Sequence, residues 1–201
     1  MVFLKAPVFM EAFHTTMNSL DFTYFERSSF KLIQLNQKYN LIKPNDYVID
    51  IGAAPGSWLQ VASKIVEPNG KVIGVDLRPI KEIEDNVIIF QDNINREGIE
   101  IKIREVLKKK ANVVLSDLAP NISGIWKMDH NNQIDLTISV VNALPKILKK
   151  EGCCLLKVFD GPMLKTLENN LKNKFRNVKL IKPKASRSAS SELYMICTGF
   201  K

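Results

Sequence analysis

Short apolar runs alternate with helical stretches from residue 46 onward. The runs are rich in valine, isoleucine and leucine, which is typical of strands that are covered on both faces of a parallel sheet. Helical spacing between the runs indicates βα units. The predicted strands cover residues 47–51, 71–76, 87–91, 112–117 and 153–159.

Between the strands, apolar residues recur at helical spacing, so that one face of each helix can pack on the sheet. Ile134, Val141 and Leu144 show this spacing most clearly. Pro145 is expected to kink that helix or to end it early, because proline lacks the backbone N–H. The predicted helices cover residues 28–39, 57–66, 100–110, 133–150 and 162–174.

Two further strands, predicted at residues 178–182 and 193–198, are joined by a segment too short for a crossover helix. They are therefore expected to pair antiparallel, at or near a sheet edge. Residues 1–26 are predicted as an irregular leader, with an organellar signal as the alternative. Residues 27–201 are predicted as one domain.

The composition narrows the class of protein. Apolar residues make up 45% and charged residues 25% of the 201 residues, which is usual for a folded domain and excludes a disordered or collagen-like chain. No apolar run reaches the roughly 18 residues that a membrane span needs, so no membrane partner is expected. The net charge of +8 favours a polyanionic partner.

The three cysteines, Cys153, Cys154 and Cys197, have no CxxC spacing. Neither a disulfide framework nor a zinc site is indicated. The pattern favours an intracellular, reducing compartment. We expect the cytoplasm or the nucleolus, with the mitochondrion as the alternative.

The most informative segment is residues 48–58, which reads VIDIGAAPGSW. An apolar strand runs through small residues into a helix, so backbone N–H groups and a helix N-terminus are open to a ligand. The segment lacks the Gly-Lys-Ser/Thr ending of a P-loop and the GxGxxG of a dinucleotide site. Pro55 also removes one N–H group that a pyrophosphate would use.

Carboxylates stand at the ends of three successive strands. Asp50 could hold a cationic amino group, and Asp76 stands where an acid meets ribose hydroxyls in this topology. Asp92 could accept a hydrogen bond from the amino group of an adenine. A ligand with these three parts and no phosphate is S-adenosylmethionine, which is the predicted cofactor.

Four charged residues from distant parts of the sequence are candidates for the chemistry. Lys157 interrupts an apolar strand, where a lysine is costly to desolvate unless it has an anionic partner or a task. Asp117 closes the fourth strand. Lys31 in the first helix and Glu192 at the start of the last strand would each be read as surface charges if taken alone.

With these residues in view, the chain resembles the FtsJ/RrmJ family of S-adenosylmethionine-dependent RNA ribose 2′-O-methyltransferases. The similarity extends from about Arg27 to the C-terminus. The segment SDLAPN at residues 116–121 is specific, whereas the glycine-rich turn alone would indicate only some methyltransferase. Further matching segments are Phe30-Lys31-Leu32, residues 50–58, Leu156-Lys157-Val158-Phe159, Lys182-Pro183, Ser186-Arg187 and Ser190-Ser191-Glu192-Leu193-Tyr194.

The resemblance implies an α/β, Rossmann-like class I methyltransferase domain. Its sheet would have seven strands, mostly parallel, with an antiparallel last hairpin and helices on both faces. The implied catalytic tetrad is Lys31, Asp117, Lys157 and Glu192. The family's cofactor-contacting positions match Gly56, Trp58, Asp76, Asp92 and Asp117. The turn itself adds Asp50, Gly52, Ala53 and Pro55 as cofactor-binding candidates.

Three positions depart from the family pattern. Phe25 and Ser191 stand where an arginine is common, and Asp160 stands where a glutamine is common. These differences concern contacts with RNA rather than the class of reaction.

The implied reaction places a ribose 2′-hydroxyl in line with the methyl carbon and the sulfur, and the hydroxyl must lose its proton. Lys157 is the candidate for orienting and deprotonating the hydroxyl. A role as base and a purely orienting role are both open. The positive charge of Lys31 would favour the uncharged form of Lys157, whereas Asp117 and Glu192 would favour the charged form. No metal is expected.

Residues 169–191 carry positive charge without any acid, directly before Glu192. We expect phosphate contacts there, with shape and backbone recognition dominating because aromatic residues are sparse nearby. The predicted RNA-binding residues are Lys172, Lys174, Arg176, Lys179, Lys182, Lys184 and Arg187.

The predicted function is therefore 2′-O-methylation of RNA. A uridine of large-subunit ribosomal RNA, free or in a ribosomal particle, is the expected target because the chain shows no extra domain, which is an argument by analogy. The alternatives are a tRNA anticodon-loop or mRNA-cap methyltransferase of the same fold, and a non-enzymatic RNA-binding module. The intact tetrad argues against the last. A monomer is expected.

Overall fold

The computed structural model describes residues 19–183 and 191–201, with side chains described from Arg27 onward. Helices and strands alternate along this part of the chain, as the apolar pattern predicts. In chain order, the elements are α1 (Ser19–Tyr39), β1 (Tyr47–Ile51), α2 (Ser57–Val66), β2 (Lys71–Asp76), β3 (Val87–Gln91), α3 (Ile99–Leu107), β4 (Ala111–Ser116), α4 (Trp126–Ile147), β5 (Leu148–Phe159), α5 (Leu164–Lys174), β6 (Phe175–Ile181) and β7 (Glu192–Phe200).

The strands form one seven-stranded sheet in the order β3-β2-β1-β4-β5-β7-β6. Strands β1 to β5 run parallel, and β7 lies antiparallel between β5 and β6. The predicted α/β class, with a mostly parallel sheet and an antiparallel last hairpin, is confirmed. The strand order reverses between β1 and β4, which is where open parallel sheets bind their ligands.

Helices cover both faces of the sheet. Because successive side chains of a strand point to opposite faces, Val113 and Leu115 of β4 pack with α1 and α2, whereas Val114 packs with α3, α4 and α5. Leu32 of α1 and Leu59 of α2 are fully buried. Burial of each such leucine side chain stabilises the folded state by about 1.5–3 kcal/mol. These helices are therefore held firmly against the sheet. No helix in the described ranges is long and apolar enough to cross a membrane.

Three elements, α1, β5 and α4, begin five or more residues earlier than predicted. Helix α1 begins at Ser19, so the chain is already helical within the segment predicted as an irregular leader; the domain boundary at residue 27 stays a prediction. Strand β5 begins at Leu148, which pairs with Ala111. The early start was not predicted because polar residues follow Leu148 and interrupt the apolar run. One of them, Glu151, has a left-handed conformation with a φ of 64° within the strand.

Helix α4 also begins earlier, at Trp126 rather than at residue 133. Its first turn lacks the apolar pattern because the buried Asp129 accepts hydrogen bonds from Ser123 and Gly124 in the preceding loop. The helix ends at Ile147, shortly after Pro145 and before the predicted end at residue 150.

Candidate active site

A cleft of about 580 Å³ opens at the C-terminal edge of the sheet, beside the switch point between β1 and β4. Most of its walls come from the segments that end or follow β1, β2, β3 and β4, and Ser28 of α1 and Leu136 and Ser139 of α4 complete them. Clefts of this volume are usual for small-molecule ligands. The predicted cofactor-binding residues that line the cleft are Asp50, Gly52, Ala53, Pro55, Trp58, Asp76, Asp92 and Asp117.

The glycine-rich turn closes one side of the cleft. Gly52 has a φ of 82°, and a Cβ there would lie 2.6 Å from Leu118 Cδ2, so glycine lets the segment after β4 pack against the turn. Gly56 has a φ of 109° and directly precedes α2. A Cβ at Gly56 would lie 2.9 Å from Ile83 Cδ1. The structure thus gives Gly56 a packing and backbone role, and Gly56 is not among the cleft-lining residues in the described part of the chain.

Asp50 is a buried carboxyl group beneath the cleft. Its residue is 1% exposed, and neither oxygen has a hydrogen-bond partner within residues 19–183 and 191–201. Burial raises the pKa of Asp50 well above its usual value, and the charges of Asp117 and Asp76 raise it further. A cationic group of a ligand would therefore find an unpaired carboxyl group here.

We expect Asp50→Asn to change how stability depends on pH. Because the folded-state pKa of Asp50 is raised, the native protein holds a proton that the unfolded chain releases near pH ~3.9. The wild type therefore loses stability as pH rises from there to the folded-state pKa, by about 1.4 kcal/mol per pH unit. The variant lacks this loss.

Urea unfolding of the ligand-free wild type and Asp50→Asn across acidic and neutral pH measures the effect. The stability of the variant relative to the wild type is expected to increase with pH across that window. A difference that stays constant with pH would contradict the assignment of an unpaired, buried Asp50.

Asp76 ends β2 at the rim of the same cleft. Its Oδ2 accepts the Ala54 N–H at 2.9 Å, and its Oδ1 accepts the Arg78 N–H at 2.8 Å. Arg78 also reaches across to the Ala54 carbonyl at 2.9 Å. Arg78 Nε also donates to Asp76 Oδ1 at 3.5 Å. Asp76 therefore fixes the glycine-rich turn, and Oδ2, with one donor, retains acceptor capacity for a ligand hydroxyl.

Asp92 follows β3 and is already engaged with cations. It accepts the Asn93 N–H at 2.8 Å and pairs with Arg96 at 3.1 Å and with Lys102 at 3.6 Å. The backbone hydrogen bond from Asn93 lowers the pKa of Asp92, and Arg96 and Lys102 add to this effect. A role as acceptor for an adenine amino group stays a prediction.

Trp58 connects the turn to helix α1. Its side chain is buried, and its Nε1 donates to the Ser28 carbonyl at 2.9 Å. The ring centroid lies 5.9 Å from that of Tyr194 in β7. Trp58 thereby links α1, α2 and β7 beside the cleft.

The four residues of the predicted tetrad come together at the cleft. Lys157 Nζ lies 3.3 Å from Asp117 Oδ1 and 4.0 Å from Glu192 Oε1, and it donates to the Asp117 carbonyl at 2.7 Å. Lys31 Nζ lies 2.8 Å from Glu192 Oε2. The chain of charges is thus Asp117, Lys157, Glu192 and Lys31, although these residues belong to four different segments. The Lys157 side chain is only 2% exposed.

Two residues to which the sequence analysis assigned no role hold Asp117 in place. Tyr194 donates its hydroxyl to Asp117 Oδ1 at 2.6 Å, and Ser28 donates to Oδ2 at 3.3 Å. Tyr194 could have been found, because it lies two residues after Glu192 and therefore on the same face of β7. Ser28 gave no signal, since its contact depends on how α1 docks.

A buried amide, that of Gln133, binds the backbone at or next to two tetrad residues. Gln133 of α4 is fully buried, and its Nε2 donates to the Lys157 carbonyl at 3.0 Å and to the Leu118 carbonyl at 3.1 Å. Thr137 donates to the Lys157 carbonyl at 3.2 Å. These contacts join the end of β4 to β5, and so fix Asp117 relative to Lys157.

The predicted RNA-binding residues in the described part of the basic run lie at different distances from the tetrad. Ile181 pairs with Tyr194 at the tetrad end of β6, whereas Phe175 pairs with Phe200 at the other end, roughly 20 Å away. Arg176 therefore lies at the far end and pairs with Glu151. The predicted residues Lys172 and Lys174 precede it on α5, Lys179 and Lys182 lie toward the tetrad end, and Lys184 and Arg187 lie outside the described residues.

The cysteines lie within the fold as free thiols. Burial raises the pKa of Cys153 to about 12 and the pKa of Cys154 well above its usual value. These thiols are therefore protonated and unreactive at neutral pH. In the part of the chain that the structure describes, no group of three or more His, Cys, Asp or Glu side chains is arranged to hold a metal ion.

The chain is similar to several curated proteins named ribosomal RNA large subunit methyltransferase E. The protein from Methanocaldococcus jannaschii is 46% identical over 177 residues, which cover 86% of this chain and 72% of that protein. The protein from Nitrosopumilus maritimus is 41% identical, with 87% of this chain and 88% of that protein covered. For Methanococcoides burtonii, the 45% identical region covers 64% of the relative.

Solved structures and a family model agree with this similarity. A ribosomal RNA methyltransferase from Plasmodium falciparum superposes with a TM-score of 0.78 at 31% identity, covering 87% of this chain and 97% of that chain. A fibrillarin/Nop5p complex gives a TM-score of 0.61 at 16% identity and shares the fold alone. The model for FtsJ-like methyltransferases matches residues 24–200. This chain therefore belongs to the FtsJ-like methyltransferase family.

Proposed function

We propose that this protein transfers a methyl group from S-adenosylmethionine to a ribose 2′-hydroxyl of large-subunit ribosomal RNA. The observation that carries the proposal is the convergence of Lys157, Asp117, Glu192 and Lys31 beside a cleft of small-molecule size. Its relatives are named as ribosomal RNA methyltransferases, which supports the choice of RNA. The uridine as target base belongs to the same proposal.

The residues of the cleft fit S-adenosylmethionine. The unpaired buried carboxyl group of Asp50 matches the cationic end of this cofactor, and Asp76 and Asp92 offer acceptors for ribose hydroxyls and an adenine amino group. Gly52 and Ala53 allow close approach to the backbone. When bound, S-adenosylmethionine supplies a methyl group made electrophilic by the sulfonium.

The tetrad orients the hydroxyl and handles its proton. Lys157 is held by its contacts with the Asp117 carbonyl and carboxylate, so its Nζ has a fixed position at the cleft. From that position the amine can donate to the ribose oxygen and aim a lone pair, or accept the proton as the new bond forms. Glu192 continues the network outward at 4.0 Å from Lys157, and Lys31 in turn pairs with Glu192.

Labelled S-adenosylmethionine tests the proposal directly. The protein is mixed with ribosomal RNA, with intact large subunits, with transfer RNA and with capped mRNA from cells that lack it, and 2′-O-methyl marks are mapped by resistance to alkaline cleavage. Label in large-subunit RNA is expected. Label confined to transfer RNA or to mRNA caps would favour those substrates, and binding of RNA without any transfer would mean a non-enzymatic module.

We also propose that the protein works as a monomer in a reducing intracellular compartment, the cytoplasm or nucleolus, with the mitochondrion as the alternative. The three free cysteines, of which Cys154 and Cys197 are buried, support a reducing setting. Light scattering after size exclusion tests the first part, and a fluorescent fusion in living cells tests the second.

We expect Asp76→Ala to weaken binding of S-adenosylmethionine by about tenfold or more, because a carboxylate that accepts from ligand hydroxyls is worth about 1.5–3 kcal/mol. The variant also frees the Ala54 N–H from its acceptor. Calorimetric titration measures the affinity, and thermal unfolding separates a folding defect from a binding defect. Unchanged affinity in a folded variant would refute the proposed contact with ribose.

A further inference from the structure

A half-exposed tryptophan lies at the start of α4. Trp126 is 54% exposed, and its indole stacks on His130 with ring centroids 5.6 Å apart and planes 9° from parallel. His130 is 2% exposed, so it covers one side of the indole from within the fold. We refer to Trp126 and His130 together as the Trp126 platform.

The platform is held in place by the chain around it. His130 Nε2 accepts the Met163 N–H at 3.2 Å, and a Cβ at Gly161 would lie 2.5 Å from the His130 ring. Asp129, between the two aromatic residues in the helical turn, accepts the Ser123 N–H at 2.8 Å. The indole therefore stands on a fixed support instead of at the tip of a mobile side chain.

The platform lies at the same sheet edge as the tetrad. It lies in the first two turns of α4, directly after the segment between β4 and α4 that begins at Asp117, and it contacts Met163 of the segment after β5, the strand of Lys157. Pro120 and Asn121 of the first segment line the cleft. A molecule that enters the cleft from this side would therefore pass close to Trp126.

The surroundings of the platform are apolar and exposed as well. These side chains lie in the same two segments and the first turn of α4, and each is at least 43% exposed: Ile122, Ile125, Met128 and Met163. Exposed apolar side chains that cluster beside a binding site are a mark of an interaction surface. Lys127, in the same helical turn as Trp126, adds an exposed positive charge.

We propose that the exposed face of Trp126 stacks on an unpaired base of the substrate RNA next to the nucleotide whose ribose enters the cleft. The inference rests on the proposed function. A base in an A-form duplex is already stacked and its groove is closed to side chains, so a single-stranded target needs an aromatic surface to hold its splayed bases. Because the protein has a net charge of +8, it attracts a polyanion such as RNA more strongly than a protein with few acidic residues, which favours RNA as the occupant.

Binding of fluorescently labelled RNA tests the stacking contact. We expect Trp126→Ala to weaken binding of a short single-stranded oligoadenylate about tenfold, and Trp126→Phe to retain most of the affinity. Binding of a blunt RNA duplex of the same length is expected to change little in either variant. Ile101→Ala is the matched control, because Ile101 is 50% exposed on α3, away from the platform.

Intrinsic fluorescence gives a second readout. The chain has two tryptophans, and Trp58 is buried at 2% exposure. Addition of oligoadenylate is expected to quench the wild type, and this change is expected to be lost in Trp126→Phe although that variant still binds. Thermal unfolding of each variant shows that it is folded.

Wild-type affinity for oligoadenylate in folded Trp126→Ala would overturn the inference, and so would equal quenching in the wild type and Trp126→Phe. Loss of self-association in Trp126→Ala with unchanged RNA affinity would also overturn it, assigning the surface to a second copy. Neither readout requires turnover. A wild type that stacks RNA but transfers no methyl group to any RNA would therefore overturn the proposed reaction alone.

Discussion

Replacing Lys157 with alanine is expected to lower the rate of methyl transfer by about 10²–10⁴-fold, the usual contribution of a positioned acid or base. The amine of Lys157 is 2% exposed and is fixed by the carboxylate and the carbonyl of Asp117. Without it, the cleft retains its cofactor-binding candidates but has no amine at the end of β5 to orient the hydroxyl. Affinity for S-adenosylmethionine is expected to be nearly unchanged.

Single-turnover transfer to large-subunit RNA measures the rate, and calorimetric titration measures the affinity for S-adenosylmethionine. Lys71→Ala serves as the matched control, because Lys71 is an exposed lysine at the start of β2, on the opposite edge of the sheet. The control is expected to act like the wild type. Near-normal transfer by Lys157→Ala would remove Lys157 from the mechanism, and a large loss of cofactor affinity would mean that its role is binding.

The fold could be predicted largely from where apolar residues lie. Buried parallel strands such as β1 and β2 are rich in valine and isoleucine, and both were predicted with their observed bounds. Errors occurred where polar residues sit inside an element for a local reason. Asp129 of α4 accepts a hydrogen bond from the Ser123 N–H in the preceding loop, and Glu151 adopts a positive φ inside β5.

The site was predictable where a costly residue demands a partner. A lysine in the middle of an apolar strand implies a nearby anion, and in the structure Lys157 meets Asp117 and Glu192. Contacts made by ordinary polar residues carry no such signal. Ser28 touches Asp117 because of how α1 docks, which depends on packing across the whole face of the sheet.

The order of basic residues along the sequence says little about how far each of them lies from the tetrad in the fold. The run from Lys172 onward looks continuous, but β6 lies within it, and the two ends of this strand, Phe175 and Ile181, are roughly 20 Å apart. Arg176 is paired with Glu151 far from the tetrad, whereas Lys179 lies nearer to it. Trp126 is distant from the basic run in the sequence, yet in the fold it begins α4 at the sheet edge where the tetrad lies.

Asp117→Asn is expected to destabilise the protein by about 3 kcal/mol, because removing one partner of a buried ion pair leaves the other charge uncompensated. Lys157 would retain the backbone carbonyl of residue 117 and Glu192 at 4.0 Å, which places the loss at the lower end of the usual range. For a chain of this size, the melting temperature would fall by roughly 6–12 °C.

A double-mutant cycle with Lys157→Met separates this effect from the loss of other contacts. Lys157→Met alone leaves the Asp117 carboxylate with its hydrogen bonds from Tyr194 and Ser28, so a smaller loss is expected. In the double variant no unpaired charge is buried. We therefore expect its loss of stability to be smaller than the sum of the two single losses, by at least about 1 kcal/mol. Urea unfolding measures all four proteins. Additive losses, or a wild-type stability for Asp117→Asn, would show that this ion pair does not hold β4 and β5 together at the site.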